Sequence, residues 1–255
     1  MTALDTFGAS FSRAWIKTWR RPVVLSFSLV QPMMWMLLFG FLFAQYRLES
    51  LSDDTAYLDF LVPGVCCMTV MFGASQSGIT WIRDLNAGFL QRMLRTPESH
   101  HPILLGKLFA DTTRLLLQAL LVLLLGYLLG AQLRVDLAAA APAFAAVALF
   151  AFAFSSLSCA IACTTRTQEV MAVFVHVVNM PVLFTSTALV PDKQMPAWLA
   201  EAAAWNPLSA AVDAWRAAVL SAPAKIGDGL IALTVFAALT YGWAAAAMRR
   251  CRAHR

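Results

Sequence analysis

The sequence predicts an all-α membrane protein with six transmembrane helices and both termini in the cytosol. Three observations carry that prediction. The 255-residue chain is 60% hydrophobic and only 13% charged, with a mean hydropathy of +0.68, whereas a soluble chain is about a quarter charged. Its apolar runs reach the ~20 residues needed to cross a hydrocarbon layer of ~30 Å. When these runs are threaded from the inside, 14 of the 19 Lys and Arg fall in inner segments and 9 of the 14 Asp and Glu in outer ones. That bias sets the orientation, because basic loops stay on the cytosolic side.

Residues 4–21 predict a helix lying in the headgroup layer. Phe7, Phe11, Trp15 and Trp19 recur every fourth residue, and Arg13, Lys17, Arg20 and Arg21 fall on the opposite side. Such a face pair suits an anionic leaflet. The first span is 22–44; it is too long for the apolar core of a signal peptide, and no small-x-small cleavage site follows it. It contains Gln31, Pro32 and a methionine cluster, Met33, Met34 and Met36. A mid-span proline removes a backbone bond and should bend the helix. An acidic outer loop leads to span 58–82.

Residues 83–101 are the longest polar interruption on the inner side. Leu85, Phe89 and Met93 are four apart, with Leu90 and Leu94 beside them, so the segment predicts a short amphipathic helix that offers a handle to a partner. Thr96-Pro97 ends it, since the residue before proline is pushed out of helical geometry. Span 103–130 begins with Lys107, Asp111 and Arg114 on one face, able to pair. We read them as the part of the helix that protrudes into cytosol or headgroups. Span 137–163 carries no charge. Span 170–190 holds His176, Asn179 and Pro181.

Residues 191–223 predict external amphipathic helices at the outer interface. Asp192 is a candidate cap for a helix bearing Trp198, Leu199 and Trp205. Asn206-Pro207 is a start signal for the next, with Asn at the cap and Pro at the first helical position. That helix aligns Leu208, Val212, Trp215 and Val219. Span 227–248 ends in Arg249, Arg250, Arg252 and Arg255.

The same residues narrow the function. The excess of positive charge lies beside apolar runs rather than on a soluble face, so membrane orientation and lipid explain it and nucleic acid does not. The cysteines, Cys66, Cys67, Cys159, Cys163 and Cys251, have no histidine or carboxylate at ligand spacing and read as small apolar filler, with no metal site expected. A gradient-driven carrier needs titratable groups at mid-membrane; the one candidate there is His176, and a lone histidine more often bonds a neighbouring helix. Gly106-Lys107 lacks the first glycine and the hydroxyl of a P-loop, and no hydrolase motif occurs. The chain reads as a conduit without its own motor or catalytic residues, binding no cofactor itself. The alternatives are an ATP-independent secondary transporter or channel, and a membrane scaffold.

Several stretches together resemble the ABC-2 type permeases, the membrane subunits of ATP-binding cassette exporters, closest to their daunorubicin-resistance branch. They are Gln31-Pro32 with Trp35 and Phe39-Gly40, the run from Tyr57 to Gly64, Gly88 to Pro97 followed by Leu105-Gly106-Lys107, Met195 to Leu199, Asn206-Pro207-Leu208, and Asp213-Ala214-Trp215-Arg216. The resemblance spans nearly the whole chain as a single transmembrane domain, 1–255. It implies a half-transporter of the cytoplasmic (inner) membrane, working with two copies of an ABC ATPase subunit that hold the ATP, and with a second permease copy as a homodimer. The cargo would be a hydrophobic or amphiphilic drug, lipid or lipid-linked glycan. It also implies that the N-terminal helix connects to the ATPase and that 83–101 is a coupling helix. By position Gly88, Phe89, Leu90, Gln91, Arg92 and Leu94 are its coupling residues, with Leu85 on the same apolar face. One departure stands out: the family commonly has glutamates where this chain has Asn86 and Gln91, which leaves the apolar face. Gln31, Met34, His176 and Asn179 are the candidate pathway lining.

Overall fold

The computed structural model describes residues 3–20, 22–43, 56–87, 101–133, 136–220 and 226–253. Among these residues the regular structure is helical. The helices are α1 (Ala3–Trp19), α2 (Pro22–Leu42), α3 (Tyr57–Asn86), α4 (His101–Leu128), α5 (Leu137–Thr165), α6 (Gln168–Val177), α7 (Asn179–Phe184), α8 (Ala197–Trp205), α9 (Pro207–Leu220) and α10 (Ile226–Ala253), with a 3-10 turn at Asp192–Gln194.

The bundle is built around α3. Its sequence is apolar or small on every side from Phe60 to Met71, and every residue of that run is buried, as expected for a helix without a polar stripe. Helices α2, α4, α5, α6, α7 and α9 all pack against it, while α10 lies along α5 and α1 along α4. Among the described residues four helices are long and apolar enough to cross a membrane: Tyr57–Asn86, His101–Leu128, Ala138–Thr165 and Ile226–Arg250. Shorter apolar helices run over Val30–Leu42 and Gln168–Phe184.

The structure departs from the sequence expectation in three places. The predicted span 170–190 is divided: α6 ends at Val177, α7 runs only from Asn179 to Phe184, and turns follow. Pro181 supplies the reason, because it has no N–H for the carbonyl of Val177 four residues back. The expected handle does not begin at Arg83, since Arg83 to Asn86 are the last turn of α3. The third departure is α9. It was expected to lie at the surface, yet it is buried between α3, α5 and α10. Besides the predicted face of Leu208, Val212, Trp215 and Val219, it carries Ala211, Ala214, Ala217 and Ala218, and these small side chains let helices approach from other sides.

The two start signals within residues 191–223 have different outcomes. Asn206 caps α9 as predicted, its Oδ1 accepting from Leu208 N at 2.9 Å. Asp192 instead begins the 3-10 turn, and α8 starts five residues later, after Pro196. Helix α8 keeps Trp198 and Trp205 exposed.

Candidate functional site: a polar file between two clasps

At one end of the bundle α1 is clasped to the adjoining ends of α3 and α4. Ser10 Oγ donates to the Ile103 carbonyl at 2.8 Å, and Gly106 lets the helices touch: a Cβ there would lie 2.6 Å from the Phe7 carbonyl oxygen. Lys17 Nζ sits 2.5 Å and Arg13 Nη2 3.6 Å from Asp84 Oδ1 in the last turn of α3. Partial burial lowers the Arg13 pKa, and the Asp84 charge opposes that shift. The docked stripe is therefore Thr6, Ser10, Arg13 and Lys17, opposite the aromatic row. The aromatics stack along the helix, Phe7 on Phe11 and Phe11 on Trp15, while Trp19 is exposed. The predicted amphipathic pattern holds, but Arg13 and Lys17 of its basic face turn to a protein carboxylate rather than away from the protein.

From this clasp a polar file enters the bundle. Trp81 Nε1 donates to Cys163 Sγ at 3.0 Å. Next, Lys107 Nζ lies 2.5 Å from Asp111 Oδ2 and 2.5 Å from Ser77 Oγ, and Ser77 Oγ also donates to the same carboxylate oxygen. Cys159 Sγ is 3.5 Å from that hydroxyl. Further along, Ser158 Oγ donates to the Ser75 carbonyl at 2.6 Å, and Asn179 Nδ2 reaches Ser75 Oγ at 2.8 Å. Arg114 lies beyond, Nη1 3.2 Å from Gln118 Oε1 and Nη2 3.2 Å from the Gly73 carbonyl. The file links α3, α4, α5 and α7 over roughly 12 Å of α3, counted from Gly73 to Trp81 at ~1.5 Å per residue.

Lys107 and Asp111 are 7% and 9% exposed. The pairing read from their spacing is present, but the two side chains are buried in the bundle rather than projecting into cytosol or headgroups: Ser77 of α3 bonds both, a partner that one helix face cannot reveal. Charges inside a membrane bundle are costly and mark functional or coupling positions. The file offers hydrogen bonds and ion pairs that can rearrange. No group of three or more metal-ligating side chains occurs among the described residues.

The other end is clasped differently. Arg216 of α9 donates through Nη2 to the carbonyls of Phe60 and Ala188, at 3.3 and 3.1 Å, and its guanidinium stacks 3.5 Å over the Phe60 ring. Asp213, one turn earlier, accepts from Thr187 Oγ1 at 2.9 Å. Tyr57 OH donates to the Leu189 carbonyl, and Asp59 Oδ1 accepts from Gln132 N. The segment after α7 is thus held between α3 and α9.

The residues predicted from sequence do not converge. Leu85 packs partly buried against the core, whereas Gly88, Phe89, Leu90, Gln91, Arg92 and Leu94 lie outside the described residues. Gln31, Met34 and His176 are exposed, and Asn179 is fully buried in the file. Cys66, Cys67, Cys159 and Cys163 are buried free thiols, as filler would be. Sequence reasoning missed the roles of Ser75, Ser77, Ser158, Asp84 and Arg216. The available signal for Arg216 was a single arginine in an apolar helix, with an aspartate three residues before it.

Long apolar helices packed around a buried hub, with a file of bonded polar groups inside, define a multi-helix membrane protein. Residues 5–220 match the model of the ABC-2 type transporter family, and the chain belongs to that family. It is 32% identical over 207 residues to the putative transport permease ycf38 of Cyanophora paradoxa, covering 80% of this chain and 70% of that protein. The ycf38 protein of Pyropia yezoensis is 33% identical over 82% of this chain and 72% of its own length. The daunorubicin resistance ABC transporter permease protein DrrB1 of Streptomyces coeruleorubidus is 27% identical over 91% of this chain and 80% of its own. Membership makes this a membrane permease subunit and implies an ABC ATPase as partner.

Proposed function

We propose that two copies of this chain, with two ABC ATPase subunits holding the ATP, form an exporter that moves a hydrophobic or amphiphilic molecule across the cytoplasmic membrane. In this reading the chain crosses six times with both termini inside, α2 and the divided 170–190 segment completing the four long helices. It binds no cofactor of its own.

The observation that carries the reading is the clasp of α1 to α3 and α4. Residues 88–100 join the ends of those two helices in the chain, so a push on that segment loads α1, α3 and α4 together. ATP closure would press the amphipathic segment 83–101 through Leu85, Gly88, Phe89, Leu90, Gln91, Arg92 and Leu94. The helices then rock about the opposite clasp and alternate access to a cavity at the permease dimer. Coupling of this kind needs a bistable packed interface, and the divided helix at Val178 and Pro181 is a natural place for it to give.

The buried Asp111 bears on the rival reading, a gradient-driven carrier. Its Oδ2 is engaged by Lys107 and Ser77, which favours an ion-paired structural carboxylate over a cycling proton site. The deciding measurement uses the permease reconstituted with its ATPase in liposomes. Phe89→Asp should abolish ATP-driven export while membrane insertion and yield are unchanged. Export that is unaffected by Phe89→Asp, or that survives ATP depletion and collapses with an uncoupler, would overturn the proposal.

A further inference from the structure

The polar file carries one positive charge more than negative, with Asp111 as the acid near both Lys107 and Arg114. Lys107 and Arg114 bring two positive charges and Asp111 one negative, and the Asp111 carboxylate already holds Lys107 and Ser77. Arg114 makes no ion pair at salt-bridge distance among the described residues, and its guanidinium rests on two neutral acceptors, the Gln118 amide and the Gly73 carbonyl. A guanidinium has five N–H donors in a planar fork, so several remain for another acceptor. Lys107 and Asp111 are buried, whereas Arg114 is half-buried.

Its depth and surroundings narrow that acceptor. Arg114 is the 14th of the 28 residues of α4, about 20 Å from the helix start at ~1.5 Å per residue. Gly73, its partner, is likewise near the middle of α3. From Arg114 the helical spacing continues through Leu117, Leu121, Leu124 and Leu128, all exposed, at 40%, 47%, 53% and 69%. One helix face therefore presents a cationic fork at mid-bundle and an apolar track running from it toward the end held by Arg216. A resident phospholipid keeps its headgroup in the interfacial layer, roughly 15 Å from the midplane, and would not place it at this depth. In the six-span placement proposed above, an anion that reaches Arg114 would have left that layer.

We propose that Arg114 receives the anionic group, carboxylate or phosphate, of an amphiphile in transit, with its alkyl portion lying on the Leu117–Leu128 track. The planar fork suits both groups through paired hydrogen bonds, which lysine does not reproduce. This deepens the exporter reading by naming the class of cargo, and rests on it for the word transit. Its test needs no ATP, so binding and coupling fail separately.

The permease co-purified with its ATPase is placed in nanodiscs of phosphatidylcholine and titrated with pyrene-labelled dodecanoic acid or its methyl ester. The acid should bind about tenfold more tightly than the ester. In Arg114→Gln that preference should disappear, and in Arg114→Lys it should fall between the two, because charge remains and the fork is lost. Elution with the ATPase at the wild-type volume checks that the variants are folded; should Arg114→Gln fail that check, the wild-type contrast and Arg114→Lys decide. Equal binding of acid and ester, an undiminished preference in Arg114→Gln or Arg114→Lys, or complete loss of probe binding when the disc contains phosphatidylglycerol would overturn the proposal, the last by assigning the site to bilayer lipid.

Discussion

The two clasps hold their helices by different chemistry. At the α1 end the charged contacts are between side chains: Lys17 and Arg13 share one Asp84 carboxylate, at partly exposed positions, beside the neutral Ser10 bond to the Ile103 carbonyl. At the α9 end a buried Arg216 grips backbone carbonyls of two other segments and stacks on Phe60, while Gly64 of α3 lies directly against the Ala188 backbone. Side-chain ion pairs near water are weak and can exchange partners. Backbone carbonyls cannot swing away, so a guanidinium bound to them fixes segments in register. The first arrangement suits a surface that must move when pushed, the second a fulcrum.

The largest effect should come from the fixed end. A side chain at position 64 would put its Cβ 2.0 Å from the Ala188 oxygen, and backbone cannot yield as a side-chain tip can. Gly64→Val is expected to cost roughly 3 kcal/mol or more and to remove the monodisperse peak in size-exclusion chromatography. A normal peak with unchanged thermal stability would break the comparison.

The file between the clasps should respond next. Lys107→Met leaves Asp111 buried without its cation, a loss of about 3–5 kcal/mol. The double variant Lys107→Met/Asp111→Leu should recover most of it, because an apolar pair of similar volume needs no compensation. Thermal unfolding of both proteins in one detergent measures this, and equal destabilisation by the single and double variants would argue against a paired charge.

The smallest stability effect belongs to the α1 end. Lys17→Ala should shift stability by about 0–1 kcal/mol, while ATP-driven transport by the reconstituted complex falls well below wild type. A fall in stability as large as that of Gly64→Val would erase the distinction between the two ends.

Much of the architecture is legible in the sequence. Apolar length and helical spacing gave α2, α3, α4, α5 and α10, and the Asn206-Pro207 signal gave the start of α9, because these depend on local geometry and on burial averaged over many residues. The file was not readable. Lys107 and Asp111 announce a pair four residues apart, yet nothing in α4 tells that Ser77 of another helix bridges them. Gly106-Lys107 shows the same limit: as a motif it is an incomplete P-loop, whereas in space the glycine admits α1 and the lysine turns inward.

The sequence by itself determined a helical membrane chain of the ABC-2 type, since hydrophobic length, charge bias and motif order are one-dimensional properties. Only the tertiary structure decided which polar groups meet: that Asp84 answers α1, that Arg216 grips a carbonyl more than 150 residues away in the chain at Phe60, and that Arg114 hydrogen-bonds Gln118 and the Gly73 carbonyl while Asp111 pairs with Lys107. A buried polar group is stable only with a partner, and helix packing, not local sequence, chooses that partner.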